Sequence, residues 1–285
     1  MKARPTASQN AGVVSDNTRK TYSLGNTEAE HERLARQAVL FNPLTERVFK
    51  GAGIRPGQRV LDLGSGAGDV ALLLADIVGP TGEVVGVERH ADSIARARER
   101  VQRAELANVT FHQGDVADLH DLESFDAAVG RWILMFVADP AEVVRAAARL
   151  VRPGGAIAFH EVSWELCLSK HADLPLSGAV VRLIPSTFVT TGGNVEMGFA
   201  LPRVFQAAGL PRPSLHMETL TGMEAAFCDW TAAVLMSLRP HIDEASLAEV
   251  GDLATLPKRM LAEMTKADTV TAWPSMIGAW CAKPA

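Results

Sequence analysis

The chain has 285 residues, room for one α/β domain with an elaboration or for two small domains. Apolar residues make up 47% and charged residues 21%, enough for a large core, and the net charge of -5 gives no basic excess for a general nucleic-acid or anionic-membrane binder. Cys167, Cys228 and Cys281 are too far apart for a metal cluster or a disulfide framework, and the first twenty residues lack the apolar stretch of a secretory leader. These features point to a soluble cytoplasmic protein with a small-molecule partner and no metal, nucleic-acid or membrane partner.

Residues 1–20 are polar. A helical pattern starts at Thr27-Glu28-Ala29-Glu30 and continues through Leu34, Ala38 and Phe41, with Pro43 expected to break or restart it. From residue 59, strands at Arg59–Leu63, Glu83–Glu88, Val109–Gly114, Phe125–Gly130 and Ala156–Val162 alternate with helices at Asp69–Ile77, Ala91–Leu106 and Asp139–Leu150. Asp139 followed by Pro140 is a helix-start signal, and Pro153-Gly154-Gly155 is a stop. This order predicts a parallel sheet wound by right-handed crossovers. Residues 164–198 read as irregular. A helix at Ala200–Ala208, a strand at Ser214–Leu220, a long helical stretch and a last strand at Thr271–Cys281 follow. The expected organisation is an N-terminal arm with helices (1–50), a cofactor-binding core (51–163) and a substrate-binding or lid region carrying the last two strands (164–285).

Val60-Leu61-Asp62-Leu63-Gly64-Ser65-Gly66-Ala67-Gly68-Asp69 reads as a strand, a glycine turn and a helix start. Dinucleotide enzymes share such turns, but their pattern needs a glycine where Asp69 stands. Asp62 at the strand end would also repel a pyrophosphate; it suits a cofactor bearing an ammonium and a sulfonium. Glu88 closes the second strand, where a carboxylate can accept two ribose hydroxyls, and Gly114-Asp115-Val116 closes the third, where an acid and an amide can hold adenine. Either acid alone could be an ordinary strand-end or capping charge.

Residues 59–162 resemble the class I S-adenosylmethionine-dependent methyltransferase core. Leu61–Asp69 is similar to its first motif, Glu88 to its ribose acid, Gly114-Asp115-Val116 to its adenine site, Phe125–Asp139 to its fourth motif and Leu150–Gly155 to its fifth. The resemblance implies a Rossmann-like α/β fold, a seven-stranded methyltransferase sheet with helices on both faces and its last strand antiparallel. It implies S-adenosyl-L-methionine as cofactor, held by Asp62, Gly64, Ser65, Gly66, Gly68, Glu88, Arg89, Asp115, Val116, Arg131 and Gln37. Tyr22, the one tyrosine, precedes Glu28-Ala29-Glu30-His31-Glu32-Arg33-Leu34-Ala35-Arg36-Gln37. This stretch resembles the arm of methyltransferases related to the ubiquinone C-methyltransferase group, the teleocidin C-methyltransferase of terpenoid-indole biosynthesis among them. The resemblance implies that Tyr22 anchors an arm over the cofactor, exchanged between the subunits of a homo-oligomer.

For the acceptor side, Trp132 and Phe136 suit one wall of a substrate site, and Arg131 suits a cofactor carboxylate or a salt bridge. His160, at the end of the fifth strand, is the expected substrate contact or general base. Phe205 is a further substrate-site expectation; Phe188, Phe199, Phe227 and Trp230 fit an apolar pocket or a plain core equally. The expected activity is methyl transfer to a small hydrophobic natural product, with C-methylation of a terpenoid-type side chain ahead of O- or N-methylation. The rivals are an NAD-dependent oxidoreductase on the same fold class and a non-catalytic partner subunit.

Overall fold

A computed structural model describes residues 28–116, 119 and 124–285. Tyr22 and the arm before residue 28 lie outside the described residues.

Seven strands form one sheet in the order β3-β2-β1-β4-β5-β7-β6. The strands are β1 (Arg59–Leu63), β2 (Glu83–Glu88), β3 (Val109–Gln113), β4 (Phe125–Arg131), β5 (Val151–Ser163), β6 (Ser214–Glu218) and β7 (Ser275–Ala282). The first five are parallel, and β7 runs antiparallel to both β5 and β6. The central strands β1, β2 and β4 are buried along nearly their whole length, as expected where helices cover both faces.

Helices α2 (Asp69–Val78) and α3 (Ala91–Arg103) pack with the C-terminal part of α1 (Glu28–Gly51) on one face, over Val60, Val84, Ala127, Val129 and Ala158. Helices α4 (Pro140–Leu150), α5 (Glu165–His171), α6 (Pro175–Thr190), α7 (Met197–Ala207), α8 (Glu224–Leu238), α9 (Glu244–Val250) and α10 (Leu256–Lys266) complete the chain. They contribute to the second core, over Leu61, Leu63, Val85, Ile157 and Phe159. Asp139 caps α4 by accepting the Glu142 N–H at 3.0 Å.

Two expectations about helices are corrected. Pro43 does not interrupt α1. It sits on the exposed face, one turn after the exposed Val39, so the carbonyl that loses its helical partner faces water. Residues 164–198 are also not irregular, because they carry α5 and α6. Pro175 falls in the first turn of α6, where no helical N–H is needed.

Helix α1 acts as a strap along the carboxyl edge of the sheet. Arg33, Gln37, Phe41 and Thr45 recur every four residues and form one inward face. Further on, Val48 meets β7 so closely that a Cβ on Gly278 would lie 2.4 Å from its Cγ2.

Candidate functional site

The carboxyl ends of β1, β2, β3 and β4 open into a cavity of about 500 Å³. This is the crevice where open α/β sheets bind ligands. One side is the turn from β1 to α2. Gly64 and Gly66 take φ values of 63° and 51°, in the left-handed region that glycine adopts at no steric cost. A Cβ on Gly64 would also meet Ile133 Cδ1 at 2.7 Å, so the turn packs directly on the segment after β4. Ser65, Gly66 and Asp69 line the cavity; Gly68 ends the turn at φ 87° and does not line it.

Glu88 lines the cavity at the end of β2, and its carboxylate is fixed by backbone donors. Gly66 N–H donates to Oε2 at 3.0 Å, and Arg89 N–H and His90 N–H donate to Oε1 at 2.8 and 2.9 Å. Across the mouth, Arg89 forms an ion pair with Asp115, and both line the cavity with Val116 and the buried Ser93.

Asp62 differs from the expectation. It does not line the cavity, because strand alternation puts it on the face of Val60, toward α2, while Leu63 faces the opening. Both of its carboxylate oxygens are buried without a hydrogen-bond partner among the described residues. Burial pushes its pKa well above the usual carboxylate range, partly opposed by Arg131. Arg131 lines the cavity and donates to Asn42 Oδ1 at 2.8 Å and Thr45 Oγ1 at 3.0 Å, which ties it to α1.

The other side of the cavity is aromatic. Trp132, Phe136, Phe41, Trp164, Phe188 and Trp230 all line it. Trp132 sits at φ 52°, a conformation that a bulky residue adopts only when its surroundings impose it. Trp132 N–H donates to His160 O, and the buried Glu161 carboxylate accepts the Ile133 and Leu134 N–H groups at 3.0 and 2.8 Å. A 3-10 turn (Leu134–Phe136) follows, so Trp132 and Phe136 do not share a face through α-helical spacing. Instead Trp132 meets Phe41 edge-on at 4.9 Å, and Phe136 meets Phe188 edge-on at 5.8 Å. Trp164 and Trp230 stack at 5.9 Å.

His160 does not reach this space. It is buried beneath α1, with Nδ1 3.1 Å from Thr45 Oγ1. Thr45 already donates to Phe41 O, so the imidazole Nδ1–H donates to the hydroxyl. Burial, with Arg131 nearby, lowers its pKa to about 3. This corrects the expectation of a general base or substrate contact at His160. Phe205 is likewise away from the cavity, fully buried in the core against Phe159. Phe199 is exposed on α7, and Phe227 is buried beside Trp273.

The sequence reading missed Arg33, Leu34, Phe41 and Trp164 as lining residues. Trp164 had a usable signal, since it follows β5 at the carboxyl edge. The α1 residues had none beyond a helical stripe, which serves a core equally well.

The fold and the acid-lined glycine crevice define a class I methyltransferase domain. A family model described as "Methyltransferase domain" matches residues 54–196, half of the chain. The chain belongs to the class I S-adenosylmethionine-dependent methyltransferase family, and the cofactor of that family is S-adenosylmethionine. The arsenite methyltransferase of Aquipseudomonas alcaligenes is 40% identical over 114 residues, covering 37% of this chain and 33% of that protein. The ubiquinone/menaquinone biosynthesis C-methyltransferase of Ectopseudomonas mendocina is 35% identical over 181 residues, covering 59% of this chain and 71% of that protein. The chain spans about half or less of the length of the first relatives it matches. In fold, it is similar to a Bacillus halodurans protein assigned as a methyltransferase, with TM-score 0.56, 19% identity and coverage of 84% of this chain and 98% of that one.

The residues present fit the cofactor. Its hydroxyls and ammonium call for acceptors, and the Glu88 carboxylate is offered at the cavity by three fixed backbone donors. A pyrophosphate would instead need cations, and Arg89 at that edge is paired with Asp115.

Proposed function

We propose that this chain methylates a small, hydrophobic natural-product acceptor at carbon, on a terpenoid-type side chain. The observation that carries this reading is the continuity of the crevice at Glu88 and Asp115 with an aromatic wall holding Trp132, Phe136, Phe41 and Trp230.

When bound, S-adenosylmethionine supplies an electrophilic methyl group. Glu88 would accept hydroxyl hydrogens of the cofactor, Asp115 and Val116 would hold its adenine, and the Gly64–Gly66 turn would let the backbone come close. Trp132 and Phe41 pack edge-on and keep water from the reacting carbon. An oxygen acceptor must lose its proton, and the carboxylates and imidazole that line the cavity, at Asp69, Glu88, His90 and Asp115, belong to the ends of β1, β2 and β3 and the turns after them rather than to the aromatic side. An alkene carbon needs no prior deprotonation: its π pair would bond to the methyl carbon as the methyl–sulfur bond breaks and S-adenosylhomocysteine leaves, the aromatic faces would stabilise the cation, and loss of a proton to water would give the methylated alkene.

Arsenite, named for two of the curated relatives, is a thiol-seeking species. None of the three cysteines lines this cavity, and burial holds the Cys228 thiol up at about 12. Within the described residues no group of side chains is arranged to hold a metal, and no helix is long and apolar enough to cross a membrane.

The test is calorimetry with S-adenosylhomocysteine and with NADH, followed by transfer of a labelled methyl group to prenylated aromatic acceptors. Tight binding of S-adenosylhomocysteine and a new carbon–methyl bond by NMR are expected. Label on oxygen or nitrogen would refute the carbon assignment, and binding of NADH alone would refute the cofactor.

A further inference from the structure

Where α1 meets α8, the aromatic wall carries a polar feature that the proposed reaction does not use. Arg33 is buried and donates through Nε and Nη2 to both oxygens of Glu30, at 2.8 and 2.6 Å. Its Nη1 donates to Gln37 Oε1 at 2.8 Å. Trp230 Nε1, reaching over from α8, donates to the same Gln37 oxygen at 2.8 Å. Ser237, two turns further along α8, donates to Glu30 Oε2 at 2.5 Å.

This clamp removes the usual ambiguity about which way an amide points. A guanidinium and an indole N–H can only donate, so the Gln37 atom that both of them meet is the oxygen. The amide nitrogen is therefore the other end, and Gln37, only 6% exposed, lines the cavity. No hydrogen bond to that nitrogen occurs among the described residues, and it is not among the fully buried unpartnered polar atoms, so it is open to the cavity. Two donors on the oxygen, one of them charged, polarise the amide and make its N–H groups better donors. The Arg33 charge is matched by Glu30, so this part of the wall offers a neutral donor and no anion site.

We infer that Gln37, which the family resemblance places among the cofactor's contacts, is instead a specificity-determining residue on the side of Trp230 whose amide N–H donates to a carbonyl oxygen on the acceptor substrate; this rests on the methyltransferase reading above. The remainder of that wall is aromatic and aliphatic, from Leu34, Phe41, Trp164 and Val234. A ring system with one carbonyl satisfies both surfaces, while a pure hydrocarbon displaces water from the Gln37 amide and leaves that donor unpaired. A carboxylate would meet a neutral site without a countercharge and would lose its hydration.

The test uses the full chain loaded with S-adenosylhomocysteine and two probes, the bicyclic ketone 1-tetralone and its hydrocarbon tetralin. Gln37→Glu keeps an oxygen for Arg33 and Trp230 but abolishes the donor; Gln37→Met removes the amide and keeps the length. The tetralone-to-tetralin affinity ratio should fall about fivefold in both variants, the worth of one buried neutral hydrogen bond. S-adenosylhomocysteine affinity should stay at the wild-type value, which also reports a folded site. An unchanged ratio, or no binding of either probe by the wild type, overturns the assignment. A parallel loss of S-adenosylhomocysteine affinity also overturns it, because the amide would then serve the cofactor. Failure of the wild type to bind S-adenosylhomocysteine would instead remove the methyltransferase reading, and this one with it.

Discussion

At the scale of single residues, Glu161 shows how a buried acid can support a site that it does not touch. Its Oε1 takes the Ile133 and Leu134 N–H groups, while Oε2 is buried without a partner among the described residues, and burial raises the pKa to about 8. The unfolded carboxyl titrates near 4.5, so the folded chain binds this proton more tightly. Its contribution to stability is full below that value and is lost as pH rises toward 8. Glu161→Gln keeps the acceptor and puts an amide where the orphaned oxygen lies. The fall in Tm between about pH 5 and pH 8 should therefore be shallower in Glu161→Gln than in the wild type. Equal slopes would mean that the wild-type carboxylate is ionised throughout. Trp132, which this acid helps hold, gives a second residue-level test. If Trp132 serves the acceptor as proposed, Trp132→Ala should lower kcat/KM by about tenfold or more and leave S-adenosylhomocysteine affinity within about twofold, since its ring belongs to the aromatic side of the cavity with Phe41. A loss confined to cofactor affinity would move Trp132 to the cofactor's side of the cavity. Glu88 was legible because a strand end twenty residues past the glycines fixes its place. Asp62 was legible as a strand-end acid but not by direction, since strand alternation turned it away from the opening. Glu161 and Gln37 were illegible in role, because each depends on partners that the fold alone brings close.

At the scale of elements, β1 to β4 could be read to within a residue at each end, whereas β5 begins five residues before the expected Ala156, through Arg152-Pro153-Gly154-Gly155, whose proline and glycines read as a turn. The helices of residues 164–198 could not be read, because Pro175 and Pro185 count against a helix unless the packing is known. The placing of α1 was hidden too, and it decides the fate of His160. The strap seals the imidazole under Thr45, so turnover should show no ionisation belonging to His160 near neutral pH. His160→Ala should lower Tm while the pH profile of kcat keeps its shape; a missing limb in that profile would restore His160 as a base. The seating of α1 has its own test. Gly278→Ala adds a methyl against Val48 and should cost about 2 kcal/mol by overpacking. Val48→Ala makes room for that methyl, so the double variant should be more stable than the sum of the two single effects. Strict additivity in urea unfolding would show that the strap and β7 do not press on each other.

At the scale of the whole molecule, the cavity is covered by segments far apart in the chain. Trp164 follows β5, Trp230 lies on α8, and Arg33, Leu34 and Gln37 belong to the first turns of α1. The first described turns of α1 therefore lie at the cavity. A reactive sulfonium needs water kept out, and we propose that the residues preceding α1 complete the cover. Deleting residues 1–26 should reduce methyl transfer at least about tenfold while the core still melts cooperatively and still binds S-adenosylhomocysteine. Tyr22 can serve as the anchor, since its ring suits a half-buried slot and its hydroxyl can find a partner. Tyr22→Phe tests the hydroxyl and Tyr22→Ala the ring. If the arm is exchanged within a homo-oligomer, one chain can supply the arm and another the site. A mixture of the truncated chain with a full-length Glu88→Ala chain should then recover activity that neither has alone, because the truncated chain's intact crevice borrows the other's arm. Recovery that rises with the proportion of mixed oligomers would support exchange. No recovery, with mixed oligomers demonstrated by mass, would confine the arm to its own subunit, and full activity of the truncated chain would remove the arm from the reaction altogether.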